Sequence, residues 1–258
     1  MSGQAFKNPP IVEALVEIKW ELKESTPMGK YDPNYQFLLG VFNAKIKSEY
    51  PYHEELPTSK IPDDVTGCMV KHRFRTGEND WPLVQIGPGV MTVNETKKYD
   101  TFDSFKPKAI SAMGILFDSY PKRDELNITS LKLQYVNAHE FDFSKQKVQD
   151  FIFNEMHIKT ELPSSFLVES KIEELPISYS LTTSLRCSEP PGIVSIFVAT
   201  GHKLKQRAII WHHIFESTKE DVPNMPDDFE EWLQAAHDVI HIWFGGVIEG
   251  KLKTEFNK

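Results

Sequence analysis

His237 and His241, in the stretch HDVIH, come closer than any other pair to a spacing that does chemistry. At i and i+4 they match the histidines of an HExxH zinc helix, with Asp238 where the glutamate base would stand. Two imidazoles make only part of such a site, because zinc takes at least three protein ligands, and the shorter Asp reaches less far than Glu. The sequence indicates no third ligand. On a helical wheel starting at Phe229, the apolar stripe centres near about 350°, and the two histidines fall at about 80° and about 120°. The expectation is no metal: both rings pack their carbon edges at the rim of a helix, and a nitrogen meets water or a backbone carbonyl.

His212 and His213 are neighbours in a strand-like run, so they point to opposite faces and cannot chelate one ion together. One is expected to face solvent. The other, with Trp211, either lines a concavity or is a hydrogen-bonded structural histidine. No GxSxG elbow and no glycine loop followed by a Walker lysine is present. The Gly-Pro-Gly of WPLVQIGPGVMTVN lacks a following helix, and Pro88 removes one of the N–H donors that an anion cradle needs. It reads as a tight turn between paired strands. The acid pairs Glu173 and Glu174, and Asp227 and Asp228, read as loop and helix-start residues that complement helix dipoles. No catalytic residue and no cofactor is assigned.

Polar residues inside apolar strands are the candidates for ligand binding: Gln85, Asn94, Gln134, Asn137 and Arg186. Either they face solvent by simple alternation, or they converge on a pocket at the junction of two halves of the chain. The candidates for anion binding are Lys97, Lys98, and Lys203, Lys205 and Arg207 in the basic turn HKLKQR. A solvated hairpin tip accounts for that turn equally well.

The elements that must position these residues follow from hydrophobic period. A first strand over 14–22 sets Val16, Ile18 and Trp20 against Leu15, Glu17 and Lys19. A helix starting at Asp32 and Pro33 carries Tyr35, Phe37, Leu38, Val41, Phe42 and Ile46. A Pro-rich loop over 51–64 precedes three strands, 68–74, 83–86 and 90–94. A second helix, regular from about Ser104 with Pro107 in its first turn, carries Phe102, Phe105, Ala109, Ala112, Met113, Leu116 and Phe117. The order then recurs: a strand over 128–141, a short helix with Val148, Phe151, Ile152 and Met156, strands 178–186, 193–200 and 208–216, and a last helix. Its stripe, Phe229, Trp232, Ala236, Val239, Ile240, Trp243 and Phe244, repeats the earlier one at an offset of 127 residues. The expected fold is α+β: duplicated β-α-β-β-β-α units over 1–125 and 126–258, forming antiparallel sheet with helices packed on one side.

Composition sets bounds on function. The 258 residues carry a net charge of -8, which argues against general nucleic-acid binding through phosphates. Cys68 and Cys187 are too few for a disulfide framework and suit a reducing cytoplasm. No apolar run reaches the roughly 18 residues of a membrane span, and MSGQAFKNPP lacks a signal-peptide core. Seventeen Phe and five Trp serve a large core or aromatic contact surfaces equally.

NPPIVEALVEIKW (8–20), WPLVQIGPGVMTVN (81–94) and SLKLQYVN (130–137) together resemble a sporadically distributed, uncharacterised prokaryotic family of about 250 residues. Gln134 stands where that family usually has arginine, which counts against an anion site there. The resemblance implies carriage on mobile or accessory gene clusters, anti-phage ones among them, and supplies no catalytic residue. The expected function is a non-enzymatic binding or regulatory module that takes a protein partner, a second copy or a small ligand. The alternative is an enzyme or nucleotide-binding sensor with its polar site at the junction of the units.

Overall fold

The computed structural model describes residues 6–25, 29–96, 99–161, 165, 169–170 and 178–258. The first half contains β1 (Ile11–Trp20), the small hairpin β2 (Lys23–Ser25) and β3 (Gly29–Tyr31), α1 (Tyr35–Ile46), β4 (Tyr52–Glu55) and the single turn α2 (Asp63–Thr66). It continues with β5 (His72–Arg75), β6 (Leu83–Gly87), β7 (Val90–Glu95) and α3 (Phe102–Ser119). The second half contains β8 (Ile128–Glu140), α4 (Val148–Met156), β9 (Ser180–Ser188), β10 (Pro191–Lys203), β11 (Gln206–Thr218), α5 (Phe229–Ile248) and α6 (Lys251–Phe256).

Nine of the described strands form one antiparallel sheet in the order β4-β5-β6-β7-β1-β8-β11-β10-β9. Each half winds alike: its first strand lies at the centre, and the later strands return toward it from the edge. The halves join where β1 pairs with β8. The fold is α+β, as the hydrophobic periods require.

Alternation decides which face each strand buries. Val16, Ile18 and Trp20 of β1, Leu131 and Leu133 of β8, and Phe215 of β11 share one core with Leu38 and Phe42 of α1, Phe105 and Leu116 of α3, and Trp232 and Ile240 of α5. A second cluster packs α4 and α6 against Ile209 and Trp211 of β11. The main core therefore draws on both halves, and α3 and α5 pack on the same face of the sheet.

Several expected boundaries move. The 51–64 loop contains β4, an edge strand of four residues whose sequence YHEE has no apolar alternation to announce it. Helix α1 starts at Tyr35 because the Asp32 carboxylate is engaged elsewhere: it accepts from Trp20 Nε1 (2.8 Å), the Tyr120 hydroxyl (3.0 Å) and the Asn34 backbone N–H (2.8 Å). The buried stripe of α1 is Tyr35, Leu38, Phe42 and Ile46, and Phe37 and Val41 are 71% and 42% exposed. Helix α3 starts at Phe102, two residues earlier than expected, because Thr101 and Ser104 form a reciprocal capping box. Pro107 sits in its second turn. Asp228 precedes α5 at the N-cap position without a side-chain cap hydrogen bond. Glu173 and Glu174 lie outside the described residues.

The Gly-Pro-Gly is a two-residue hairpin connection. Gly87 pairs with Val90, and Gly89 takes a φ of +71°, a region open to glycine at little steric cost.

Candidate functional site

The five ligand candidates do not share a site. Gln85, Asn94, Gln134 and Arg186 lie on the sheet face opposite the main core, and Asn137 lies on the core face. Gln85 and Asn94 belong to a hydrogen-bonded chain across four strands. Arg73 donates to Gln85 Oε1 through two nitrogens at 3.1 Å, Gln85 donates to the Thr92 hydroxyl (3.2 Å), Thr92 to Asn94 Oδ1 (2.7 Å), and Asn94 to Glu13 (2.8 Å). These groups satisfy one another and act as a polar ladder that fixes strand register. Gln134 sits 3.4 Å from His212 Nδ1. Arg186, on β9, is paired with Asp221.

The anion candidates fare differently. Lys97 and Lys98 lie outside the described residues. Lys203, Lys205 and Arg207 surround the Leu204–Lys205 turn that closes the β10–β11 hairpin. The Arg207 guanidinium lies 3.7 Å from the centroid of the Phe143 ring, beside Glu140 and Asp142 in a shallow depression. Two carboxylates beside the guanidinium oppose an anion there.

A cavity of about 620 Å³ opens where the halves meet. Its inner wall is Tyr135 and Asn137 of β8 and His213 of β11, residues whose parity matches the buried Leu133 and Phe215. Phe6, Pro9 and Pro10 form one side; the Pro10 carbonyl, which accepts from the Ala138 N–H at 2.9 Å, ties that segment to β8. Tyr99 and Phe102, at the start of α3, form another side, and His237, Ile240 and Phe244 of α5 form a third. Lys7, Asp100, Asp103, Asp238 and His241 are exposed around the mouth.

His237 lies flat on Phe102, with ring centroids 3.8 Å apart and planes 2° from parallel. Its Nδ1 is 2.9 Å from the Tyr135 hydroxyl, and the Tyr99 hydroxyl is hydrogen-bonded to that of Tyr135. The expected partner, water or a backbone carbonyl, is therefore a tyrosine hydroxyl. His241 stays exposed with its ring 5.8 Å from that of His237. Among the described residues, no three His, Cys, Asp or Glu side chains form a group that could hold a metal ion.

The inner wall carries polar atoms without partners. Both ring nitrogens of the fully buried His213, and Nδ2 of Asn137, have no hydrogen bond among the described residues. Burial pushes His213 down to about 4, with a smaller contribution from the neighbouring His212. Burial first, and His241 second, bring His237 to about 4 as well. Burial raises Tyr99 to about 12 and Tyr135 well above its ordinary value. The inner part of the lining is thus neutral at pH 7, and a proton transfer from Tyr135 to His237 would create two charges that the same burial opposes. Such a wall suits holding an uncharged polar molecule better than exchanging protons with it.

The adjacent histidines separate as strand parity requires: His213 lies on the side of the sheet that carries the cavity, and His212 on the other side near Gln134 and Phe197. Tyr135 and His237 were not among the ligand candidates. The parity of β8 would have found the first, because Leu131, Leu133, Tyr135 and Asn137 alternate against Lys132 and Gln134.

No protein-family model matches the chain, and no curated protein matches it.

Proposed function

We propose that this protein is a non-enzymatic module that binds a small polar molecule in the cavity between its two halves and acts as a sensor or regulator. The observation that carries this reading is the pair His213 and Asn137, which line a cavity of about 620 Å³ and carry buried polar atoms without partners among the described residues. A buried polar group left unbonded costs about 1–3 kcal/mol, a cost that a bound ligand removes. The volume falls within the range of ligand sites, roughly 300–1,000 Å³.

Two of the stretches behind the family resemblance reach the cavity, through Pro9 and Pro10 and through Tyr135 and Asn137. That resemblance supports an accessory role in an anti-phage operon. The equal winding of the halves and the 127-residue offset support an origin by duplication. On that reading the cavity lies beside the junction that duplication created.

A thermal-shift screen of chemically diverse small metabolites tests the proposal, because a ligand that binds only the folded chain raises its Tm by mass action. Hits abolished by Asn137→Leu or His213→Leu are expected. No hit, or hits indifferent to both substitutions, would overturn it.

A further inference from the structure

The cavity also indicates what it would hold. Resting on the reading above, we propose that its ligand is an uncharged planar heteroaromatic of the nucleobase or nucleoside kind, and that phosphorylated forms are excluded.

The inner wall sets the hydrogen-bonding demand. Asn137 Nδ2 carries two N–H groups, and a neutral imidazole offers one N–H and one lone pair in either tautomer, so Asn137 and His213 together present two donor nitrogens, the amide one with two N–H groups, and one acceptor. A lactam or amidine edge, where ring nitrogens and carbonyl or amino groups alternate, answers that set. A carboxylate or phosphate brought to the same wall would lose its hydration without meeting a cation, a cost of several kcal/mol per ion. An alkyl chain would leave all three groups unbonded.

The walls set the shape. Phe6, Tyr99, Phe102 and Phe244 line the cavity with aromatic rings, and the Phe102–His237 stack joins the two halves there. Aromatic faces of this kind stack on heterocycles whatever their substituents.

The mouth sets the charge. Among the described residues that line it, Asp100, Asp103 and Asp238 stand against Lys7 alone. Carboxylates accept hydrogen bonds from sugar hydroxyls, as acidic residues do at ribose sites, and repel a phosphate in the same place.

Isothermal titration of the purified full chain tests this, with the free bases and nucleosides, the matched 5′-monophosphates, spermidine and decanoate as probes. A base or nucleoside should bind with one site per chain, and its monophosphate about tenfold more weakly or worse. Asn137→Leu and His213→Leu should each weaken the nucleoside about a hundredfold, enough to abolish its thermal shift at modest excess. Asp100→Asn with Asp103→Asn and Asp238→Asn changes only exposed side chains and should narrow the gap between nucleoside and monophosphate. A monophosphate that binds as tightly as its nucleoside overturns the ligand class, as does binding of spermidine or decanoate, sensitive to Asn137→Leu, in place of any nucleoside; either result leaves the cavity reading standing. Binding of none of the probes also overturns the class. The cavity reading falls only if the wider metabolite screen gives no hit that Asn137→Leu or His213→Leu abolishes.

Discussion

The Tyr135 hydroxyl and His237 Nδ1, 2.9 Å apart, join the central strand β8 to helix α5 across the inner end of the cavity. Each group is partly or fully shut off from water, so losing one partner strands the other. Tyr135→Phe should therefore destabilise the fold by about 1–3 kcal/mol in urea unfolding. In a double-mutant cycle with His237→Phe, the two substitutions should couple by about 0.5–3 kcal/mol, the range for residues in direct contact. Strict additivity would show that the hydrogen bond contributes nothing.

How far this arrangement was legible depended on whether burial leaves a periodic mark. The stripe of α3 was legible because Phe105, Ala109, Ala112 and Leu116 recur at helical spacing against the sheet. Phe37 and Val41 fit the same spacing on α1 and are exposed, since period alone does not tell how wide a face the neighbours cover. β4 left no mark, being short and polar. The cavity needed a third dimension: Tyr135, His213 and His237 come together from two strands and a helix, and nothing in their spacing says so. Parity still carried part of the answer. Asn137 falls with Leu131 and Leu133, and Gln134 with Lys132, so these two candidates never shared a face.

The Gly-Pro-Gly turn makes a second test, on stability. A Cβ added at Gly87 would collide with the backbone carbonyl of Met69, which no side-chain rotation can relieve. At Gly89 it would meet the Leu22 side chain at 2.8 Å and Cys68 Sγ at 2.9 Å, on a backbone with φ of +71°. Gly89→Ala should cost about 1–3 kcal/mol, the scale of a strained backbone position, and Gly87→Ala should cost more because backbone must move. Equal, negligible losses for both variants would show that the 68–70 segment does not lie against the turn.

Glu95 provides a third. Its carboxylate is fully buried on the core face of β7 and is held by Lys108 Nζ of α3 at 2.8 and 3.0 Å. Lys108→Met keeps much of the aliphatic stem and leaves the carboxylate without its cation. Breaking a buried pair by removing one partner costs about 3–5 kcal/mol; Lys108 is itself partly exposed, so the lower end is expected. Glu95→Gln added to Lys108→Met should recover part of the loss in the same unfolding assay, and a double variant no better than Lys108→Met would locate the damage in packing.

Stability should also fall in mild acid. His213 and His237 are both brought from the ordinary 6.5 to about 4 in the folded chain, first by burial. The unfolded chain therefore takes up these protons first. Above about pH 6.5 both states are neutral and the histidines contribute no slope; between there and about pH 4 the unfolded state gains on the folded one. Each histidine contributes about 1.4 kcal/mol per pH unit in that window. Urea unfolding at several pH values should show the slope, and His213→Leu should flatten it by one histidine's share. A slope unchanged in that variant would mean that His213 titrates normally in the folded protein.

The last prediction sets stability against binding at the same residue. A buried imidazole whose two nitrogens meet no partner among the described residues weakens the empty fold, because folding strips it of water and returns no hydrogen bond. Leucine is of similar volume and brings no polar atom, so His213→Leu should raise the Tm of the unliganded protein at pH 7, corresponding to about 1 kcal/mol. The same substitution should abolish the shift produced by any ligand held at the inner wall. Residues kept for packing do not behave this way; replacing a well-packed core group lowers stability. Calorimetry of the empty and liganded forms checks both halves of the expectation. A variant less stable than the parent would mean that His213 makes stabilising contacts in the empty protein, and its unpartnered nitrogens would no longer point to a ligand.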